Sequence, residues 1–235
     1  MTQPARVPPQ IPPQIPPQIP PQIIVIAKAP RPGRVKTRLT PPYTPRQAAA
    51  LAEAALRDTL AAVAAAPAAR RVLALLGEPG PWLPAGYDVV PQRGDGLAER
   101  LAHAFDDARA ACPAPAVLIG MDTPQVTPGL LAEAGRLLDE HDVVVGPAAD
   151  GGFWLLGQRG PDPALLSGLL SGLPMSRSDT GALLLRRIRE AGLRTALLPE
   201  LTDVDTAADA RAVAERAPSS RFAAALAALG ADVPA

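Results

Sequence analysis

Ile23-Ile24-Val25-Ile26-Ala27-Lys28-Ala29-Pro30-Arg31-Pro32-Gly33-Arg34-Val35-Lys36-Thr37-Arg38-Leu39-Thr40 joins a short apolar run to a dense basic loop. The run Ile23 to Ile26 is β-branched throughout, the pattern of a strand buried on both faces, and Pro30, Pro32 and Gly33 stop it at once. The loop therefore leaves the carboxyl end of a strand, which is where open α/β sheets bind ligands. Both lysines of the chain, Lys28 and Lys36, lie here with Arg31, Arg34 and Arg38, and no acidic residue precedes Glu53. Five cations in eleven residues repel one another and call for an anion: a nucleotide phosphate or a phosphorylated substrate. The plainer alternative is a solvated basic loop.

Outward from this stretch, 235 residues at 48% hydrophobic content suit one α/β domain with a sizeable core. Lys plus Arg and Asp plus Glu balance at 23 each, but residues 1 to 52 hold seven cations and no anion, so the rest of the chain is negative. That asymmetry fits a basic loop and acidic metal ligands meeting around one ligand. Aromatic residues at 3% are too few for a base-stacking surface, which excludes nucleic acid as an expected partner. A single cysteine, Cys112, excludes an internal disulfide. With no membrane-length apolar run and no secretion signal, the expectation is a cytoplasmic protein without a membrane partner.

Residues 8 to 23 are four copies of Pro-Pro-Gln-Ile, which favour an extended polyproline II arm over helix or sheet. The expected organisation is a disordered arm at 1–22, a domain at 23–217, and a tail at 218–235 with one short helix. Within the domain, Thr44 and Pro45 carry the cap and first-turn chemistry of a helix to about Ala66. Strands are expected at 71–77, 87–91, 116–121, 142–146, 153–157 and 194–198, and helices at 97–111, 128–140, 179–191 and 206–215. Only about five residues separate the strands at 142–146 and 153–157. That is too short for a parallel crossover, so they are antiparallel or lie in different parts of a mixed sheet.

Two acidic positions end apolar strands. Asp122 follows Val117 to Ile119 directly, with Pro124 stiffening the exit, and is placed to hold a hard cation against a diphosphate; Thr127 before Pro128 is the better helix cap, leaving Asp122 free. Asp150, with Gly151 and Gly152, ends another such strand, where two glycines allow a turn or close backbone approach to a ligand. For Asp203 and Asp205 the default is capping, because Thr206 and Asp209 have the spacing of a capping box. His103 and His141 lack ligand-spaced partners.

The runs Ala27-Lys28-Ala29-Pro30 to Val35-Lys36-Thr37-Arg38-Leu39, Ile119-Gly120-Met121-Asp122-Thr123-Pro124, Gly146-Pro147-Ala148-Ala149-Asp150-Gly151-Gly152-Phe153 and Asp203-Val204-Asp205-Thr206 come in unbroken order. Together they resemble the bacterial rSAM/selenodomain-associated transferases, a family similar to phospholactate guanylyltransferase and to GT-A glycosyltransferases. The resemblance spans residues 23 to about 215. It implies a three-layer α/β GT-A (nucleotide-diphospho-sugar transferase) fold with a mixed, mostly parallel sheet. It also implies phosphate binding by Lys28, Arg34, Lys36 and Arg38, a nucleotide contact by Gln92, Gly94 and Arg100, and Mg²⁺ or Mn²⁺ at Asp122 and Asp150. Asp122 and Asp150 are then the catalytic candidates, with Gly151, Gly152, Asp203 and Asp205 as further site residues. Three places depart from the family pattern: Gly96 replaces an aspartate, the run Met175-Ser176-Arg177 replaces Trp-Ser-Thr, and Ala149 replaces a glutamate.

The expected function is glycosyl transfer from a nucleotide sugar to a small-molecule acceptor. The rivals are nucleotidyl transfer from a nucleoside triphosphate to a small phosphorylated acceptor, and a non-catalytic nucleotide-binding regulatory role.

Overall fold

The first strand, β1 (Gln22–Lys28), lies inside a mixed sheet, with every residue from Gln22 to Val25 buried. The computed structural model describes residues 19–160 and 162–231; the arm expected at 1–22 falls outside them up to residue 18. In chain order the elements are β1, α1 (Pro45–Ala65), β2 (Arg70–Leu76), β3 (Asp88–Pro91), α2 (Leu97–Ala111), β4 (Ala116–Gly120), α3 (Pro128–Leu137), β5 (Val143–Pro147), β6 (Phe153–Gln158), α4 (Pro163–Leu170), α5 (Thr180–Glu190), β7 (Thr195–Leu197), α6 (Ala207–Arg216) and α7 (Arg221–Ala231). The strands hydrogen-bond in the order β3-β2-β1-β4-β6-β5-β7. All neighbouring pairs are parallel except those made by β6, which runs against β4 and β5.

Alternation along the strands builds the layers. Ile23, Val25 and Ala27 face one side with Val117 and Ile119, covered by α1 and α3 through Leu56, Leu60, Val63, Leu131 and Ala134. Ile24 and Leu118 face the other, covered by α2, α4 and α5 through Leu101, Phe105, Leu166, Leu169, Leu184 and Ile188. Each such aliphatic side chain removed from water contributes about 1.5–3 kcal/mol. A third cluster lies on the outer side of α1, where Leu51 and Ala55 meet Val204, Val213 and Phe222.

Local chemistry sets the boundaries. The Thr44 hydroxyl accepts from Gln47 N–H while Gln47 Oε1 accepts from Thr44 N–H at 2.9 Å, closing a capping box that starts α1. Thr127 caps α3 by its hydroxyl alone, accepting from Leu130 N–H, and Thr206 starts α6 with a second capping box through Asp209. The short β5–β6 connection is an antiparallel hairpin, the first of the two arrangements its length allows. Its register shifts at Gly146/Pro147, where Leu155 pairs with Gly146 and Phe153 with Pro147, so Trp154 is an extra residue. This bulge turns Trp154 into the α1-side core against Gly146, with its indole N–H donating to Pro199 O at 3.1 Å, and leaves Phe153 on the α2 side.

Two helices go beyond the sequence reading. Helix α4 occupies a stretch where none was expected, and the terminal helix packs on α1 instead of trailing from it. Asp58 of α1 accepts the N–H groups of Arg221 and Phe222 at 3.1 and 2.8 Å, capping α7 from across the interface. Among the described residues no helix is long and apolar enough to cross a membrane.

Candidate active site

The carboxyl ends of β1, β3, β4, β5 and β7 share one sheet edge, and the antiparallel β6 brings its start there. A cleft of about 600 Å³ opens at this edge, within the usual span of small-molecule sites. It is lined by Lys28, Arg34, Lys36 and Arg38 from the β1 loop, Gln92, Asp95 and Arg100 from the β3–α2 region, and the carboxylates Asp122, Asp150, Asp203 and Asp205.

Lys36 is at its centre. Its ammonium lies 2.9 Å from Asp122 Oδ2 and 3.1 Å from Asp205 Oδ1, with only 8% of the side chain exposed. Burial works against the charge, but Asp122 and Asp205 outweigh it and hold the pKa above the ordinary lysine value. The backbone at Lys36 is left-handed, with φ 48°, a conformation that costs a non-glycine residue energy and that recurs at functional sites. Arg38 Nη1 pairs with Asp205 Oδ2 at 3.2 Å from a much more exposed position.

The loops carrying the carboxylates are tied by backbone. Val204 N–H donates to Asp122 O at 3.0 Å, Gln125 Nε2 donates to Thr202 O at 2.6 Å, and Ala149 N–H donates to Leu201 O at 2.9 Å. These bonds hold Asp122, Asp150 and the Asp203–Asp205 segment against one another. Asp203 is pushed up to about 7, first by burial and then by the charges of Asp122, Asp150 and Asp205, with Lys36 acting in the opposite direction. Asp122 Oδ1 is buried and makes no hydrogen bond. A desolvated carboxylate oxygen without a donor, beside a second carboxylate that retains its proton to near neutral pH, marks a cluster with negative charge to spare.

That excess fits a hard divalent cation, which takes oxygen donors. No three acidic, histidine or cysteine side chains among the described residues are disposed to enclose an ion. A Mg²⁺ or Mn²⁺ would thus rest on one or two of Asp122, Asp203 and Asp205 and draw its other oxygens from a phosphorylated ligand and water, the common arrangement for Mg²⁺.

The remaining residues named from sequence divide between cleft and scaffold. Gln92 lines the cleft, but both hydrogens of its amide nitrogen are given to Ala27 O and Ala74 O, at 2.7 and 2.9 Å; only its carbonyl oxygen is left for a ligand. Arg100 lines the cleft while its Nε donates to Gly94 O at 3.1 Å. Gly94, at φ 114°, is part of that support. Gly151 serves the fold: at φ 86° it packs so closely on the segment before α5 that a Cβ would lie 1.9 Å from Ser178 O. Its carbonyl accepts Gly181 N–H at 2.7 Å, fastening the Asp150 turn to α5. Gly152 N–H donates to Asp150 Oδ1 at 2.8 Å, fixing that carboxylate at the cleft wall.

The capping default for Asp203 and Asp205 holds only for their neighbour. Thr206 and Asp209 form the box among themselves, and both preceding acids are left to the cleft. Phe153, Met175, Ser176 and Arg177 also line it; Met175-Ser176-Arg177 stands out in the sequence only as a departure from the family pattern, and none of the four is among the site residues expected from sequence. The usable signal was the contrast between the glycine-bound Asp150 turn and a second small-residue segment, Ser178-Asp179-Thr180-Gly181, able to receive it.

The chain belongs to the DUF2064 family, described as an uncharacterized protein conserved in bacteria, which it matches over residues 48–177. No curated protein sequence matches it. Among solved structures it is similar to a candidate nucleotide-diphospho-sugar transferase from Desulfovibrio desulfuricans G20, at 28% identity and TM-score 0.80, covering 89% of this chain and 95% of that one. It also resembles a nucleotidyl transferase from Methanothermobacter thermautotroptrophicus at 17% identity and TM-score 0.55, covering 86% and 99%. Rv0371c from Mycobacterium tuberculosis H37Rv gives 21% and 0.52, covering 84% and 98%. The fold is that of the nucleotide-diphospho-sugar transferases.

Proposed function

We propose that this member of the DUF2064 family is a metal-dependent transferase that moves a glycosyl group from a nucleotide-diphosphate sugar to a hydroxyl group of a small acceptor. The observation that carries the reading is the buried Lys36–Asp122–Asp205 cluster, with its unpartnered Asp122 Oδ1, beside the basic loop. Carboxylates in excess of their own counter-charges, adjoining cations in excess of theirs, are complementary to a cation and a polyphosphate bound together.

The count of uncommitted cations favours a diphosphate over a triphosphate. Lys36 and Arg38 are engaged by carboxylates, and Arg31 does not line the cleft. Lys28 and Arg34 from the loop and Arg100 from α2 are left to hold phosphate oxygens. The likeness to the Desulfovibrio protein, at 28% identity over nearly the whole chain, supports the same choice. A divalent cation at the carboxylates supplies neutralisation of the charge that develops on the leaving diphosphate. Lys28, Arg34 and Arg100 orient that diphosphate by charge-assisted hydrogen bonds. Asp150 takes the acceptor's hydroxyl proton as the acceptor oxygen bonds to the sugar's anomeric carbon. The bond from that carbon to the diphosphate oxygen breaks, and its electrons leave with the nucleoside diphosphate.

The test incubates the protein and Mn²⁺ with a panel of nucleotide sugars and, separately, with nucleoside triphosphates, each with pooled acceptors. Acceptor-dependent release of a nucleoside diphosphate is expected, and it should be abolished by Asp122→Asn. Pyrophosphate from a triphosphate, with no diphosphate from any sugar donor, would overturn the glycosyl reading.

A further inference from the structure

The cleft is electrically divided, and the division follows the strand order. On the β3-β2-β1 side of β4, with Lys36 and Arg38 paired to Asp122 and Asp205, the lining cations left over are Lys28, Arg34 and Arg100, answered by Asp95. On the β6-β5 side the lining residues come from the hairpin turn and the segment before α5: Asp150, Phe153, Met175, Ser176 and Arg177. Arg177 is the one cation among them, and it is already taken. Its Nε and Nη2 each donate at 2.9 Å to the two carboxylate oxygens of Asp179. Asp179 does not line the cleft but neutralises Arg177 from outside it, which leaves Asp150 as the uncompensated charge of this side, next to the Asp122, Asp203 and Asp205 carboxylates.

An acceptor phosphate or carboxylate would meet this field with a single guanidinium to receive it. The Arg177–Asp179 pair is exposed and weak in itself, but releasing it frees one positive charge only by uncovering another negative one. Like charges set against each other reject a ligand more effectively than a missing contact does. The other surface offered here is apolar: half-buried Phe153 and Met175 pack on the α2-side core while lining the cleft. The Thr180 hydroxyl is spent within the wall, donating to Pro174 O at 2.8 Å.

Resting on the transferase reading above, we propose that the acceptor is an alcohol that carries neither phosphate nor carboxylate and lays an apolar face on Phe153 and Met175. This excludes the phosphorylated acceptors that a guanylyltransferase-like reaction would use, although the fold is shared with nucleotidyl transferases. Asp179 is the residue that enforces the choice, because it keeps Arg177 from receiving an anion.

The experiment uses the full chain and begins with nucleoside diphosphates and Mn²⁺ by thermal shift. Failure to bind any of them would count against the transferase reading and leaves the next arm unaffected, since that arm also runs on the protein alone. Ligand-observed NMR then compares a pool of neutral sugars and alcohols with a pool of their phosphate esters. Neutral compounds are expected to bind at least tenfold more tightly, and Phe153→Ala should weaken them. Asp179→Asn should improve binding of the phosphate esters about tenfold and leave the neutral pool within twofold. Tighter binding of the phosphate esters by the unmodified protein, an unchanged preference in Asp179→Asn, or no binding from the neutral pool would overturn the proposal.

Discussion

Lys36 neutralises two carboxylates that would otherwise repel each other across the cleft. Lys36→Met removes that charge, leaving Asp122 without a cation and Asp205 with the more exposed Arg38 alone. Breaking a buried ion pair costs about 3–5 kcal/mol, and because the partner carboxylates are 36% exposed the expected loss is about 2 kcal/mol. Mg²⁺ at millimolar concentration should restore most of it in the variant, read as the shift of the urea midpoint with and without the ion. An unaltered midpoint would mean that these carboxylates do not take a cation. Asp203 gives a pH signature of opposite character. Its folded pKa of about 7 lies above the ordinary 3.8, so the folded chain keeps a proton that the unfolded chain releases. Stability is therefore expected to fall as pH rises from about 4 to about 7 and to level off beyond. Asp203→Asn should flatten that slope in urea titrations at pH 4.5 and pH 7.5, whereas a slope identical to that of the unmodified protein would show that burial does not raise this carboxyl.

At the scale of elements, the hairpin β5–β6 shows what a sequence discloses and what it withholds. Five residues between two strands exclude a parallel crossover, which narrowed the choice to an antiparallel pair or strands in different parts of the sheet; the structure has the antiparallel pair. The bulge was not legible, because it depends on Trp154 finding room only where Gly146 has no side chain on the neighbouring strand. Helix α4 was hidden for a related reason: its Ser-Gly content reads as turn, and Leu166, Leu169 and Leu170 form a helix because the α2 side of the sheet buries them. The candidate site divides similarly. The acids at strand ends were found from their apolar runs, but the pairing of Lys36 with Asp205 spans 169 positions and leaves no local mark. Gly151 links hairpin and site. Gly151→Ala would set a Cβ against Ser178 O at a positive φ, so a stability loss of about 2 kcal/mol or more is expected, together with a larger fall in kcat than in metal affinity as Asp150 shifts. Equal loss of both would mean that the turn supports the whole edge and not Asp150 in particular.

Over the whole molecule, α1 is a wall between two cores: one face covers the sheet, and the other receives α6 and α7 around Phe222. Ending the chain after residue 217 would strip that outer face and leave the Asp58 carboxylate without the N–H groups it caps. Phe222→Ala isolates the packing part. A fully buried phenylalanine lost in this way costs about 3–5 kcal/mol, while nucleotide affinity should stay within twofold because Phe222 does not itself line the cleft. A matching fall in affinity would show that the outer cluster positions the Asp203–Asp205 segment, through Val204, which it also contains. The separation of the cleft into two sides has a different consequence. The residues proposed to face the phosphates come from 28 to 100 of the chain and those proposed to face the acceptor from 150 to 177, with the carboxylates as the seam. On that proposal two reactants would be served by two contiguous stretches of a gene, and either could be exchanged by recombination without rewriting the other. A chimaera that takes its hairpin and pre-α5 segment from a relative should inherit that relative's acceptor and keep its own donor.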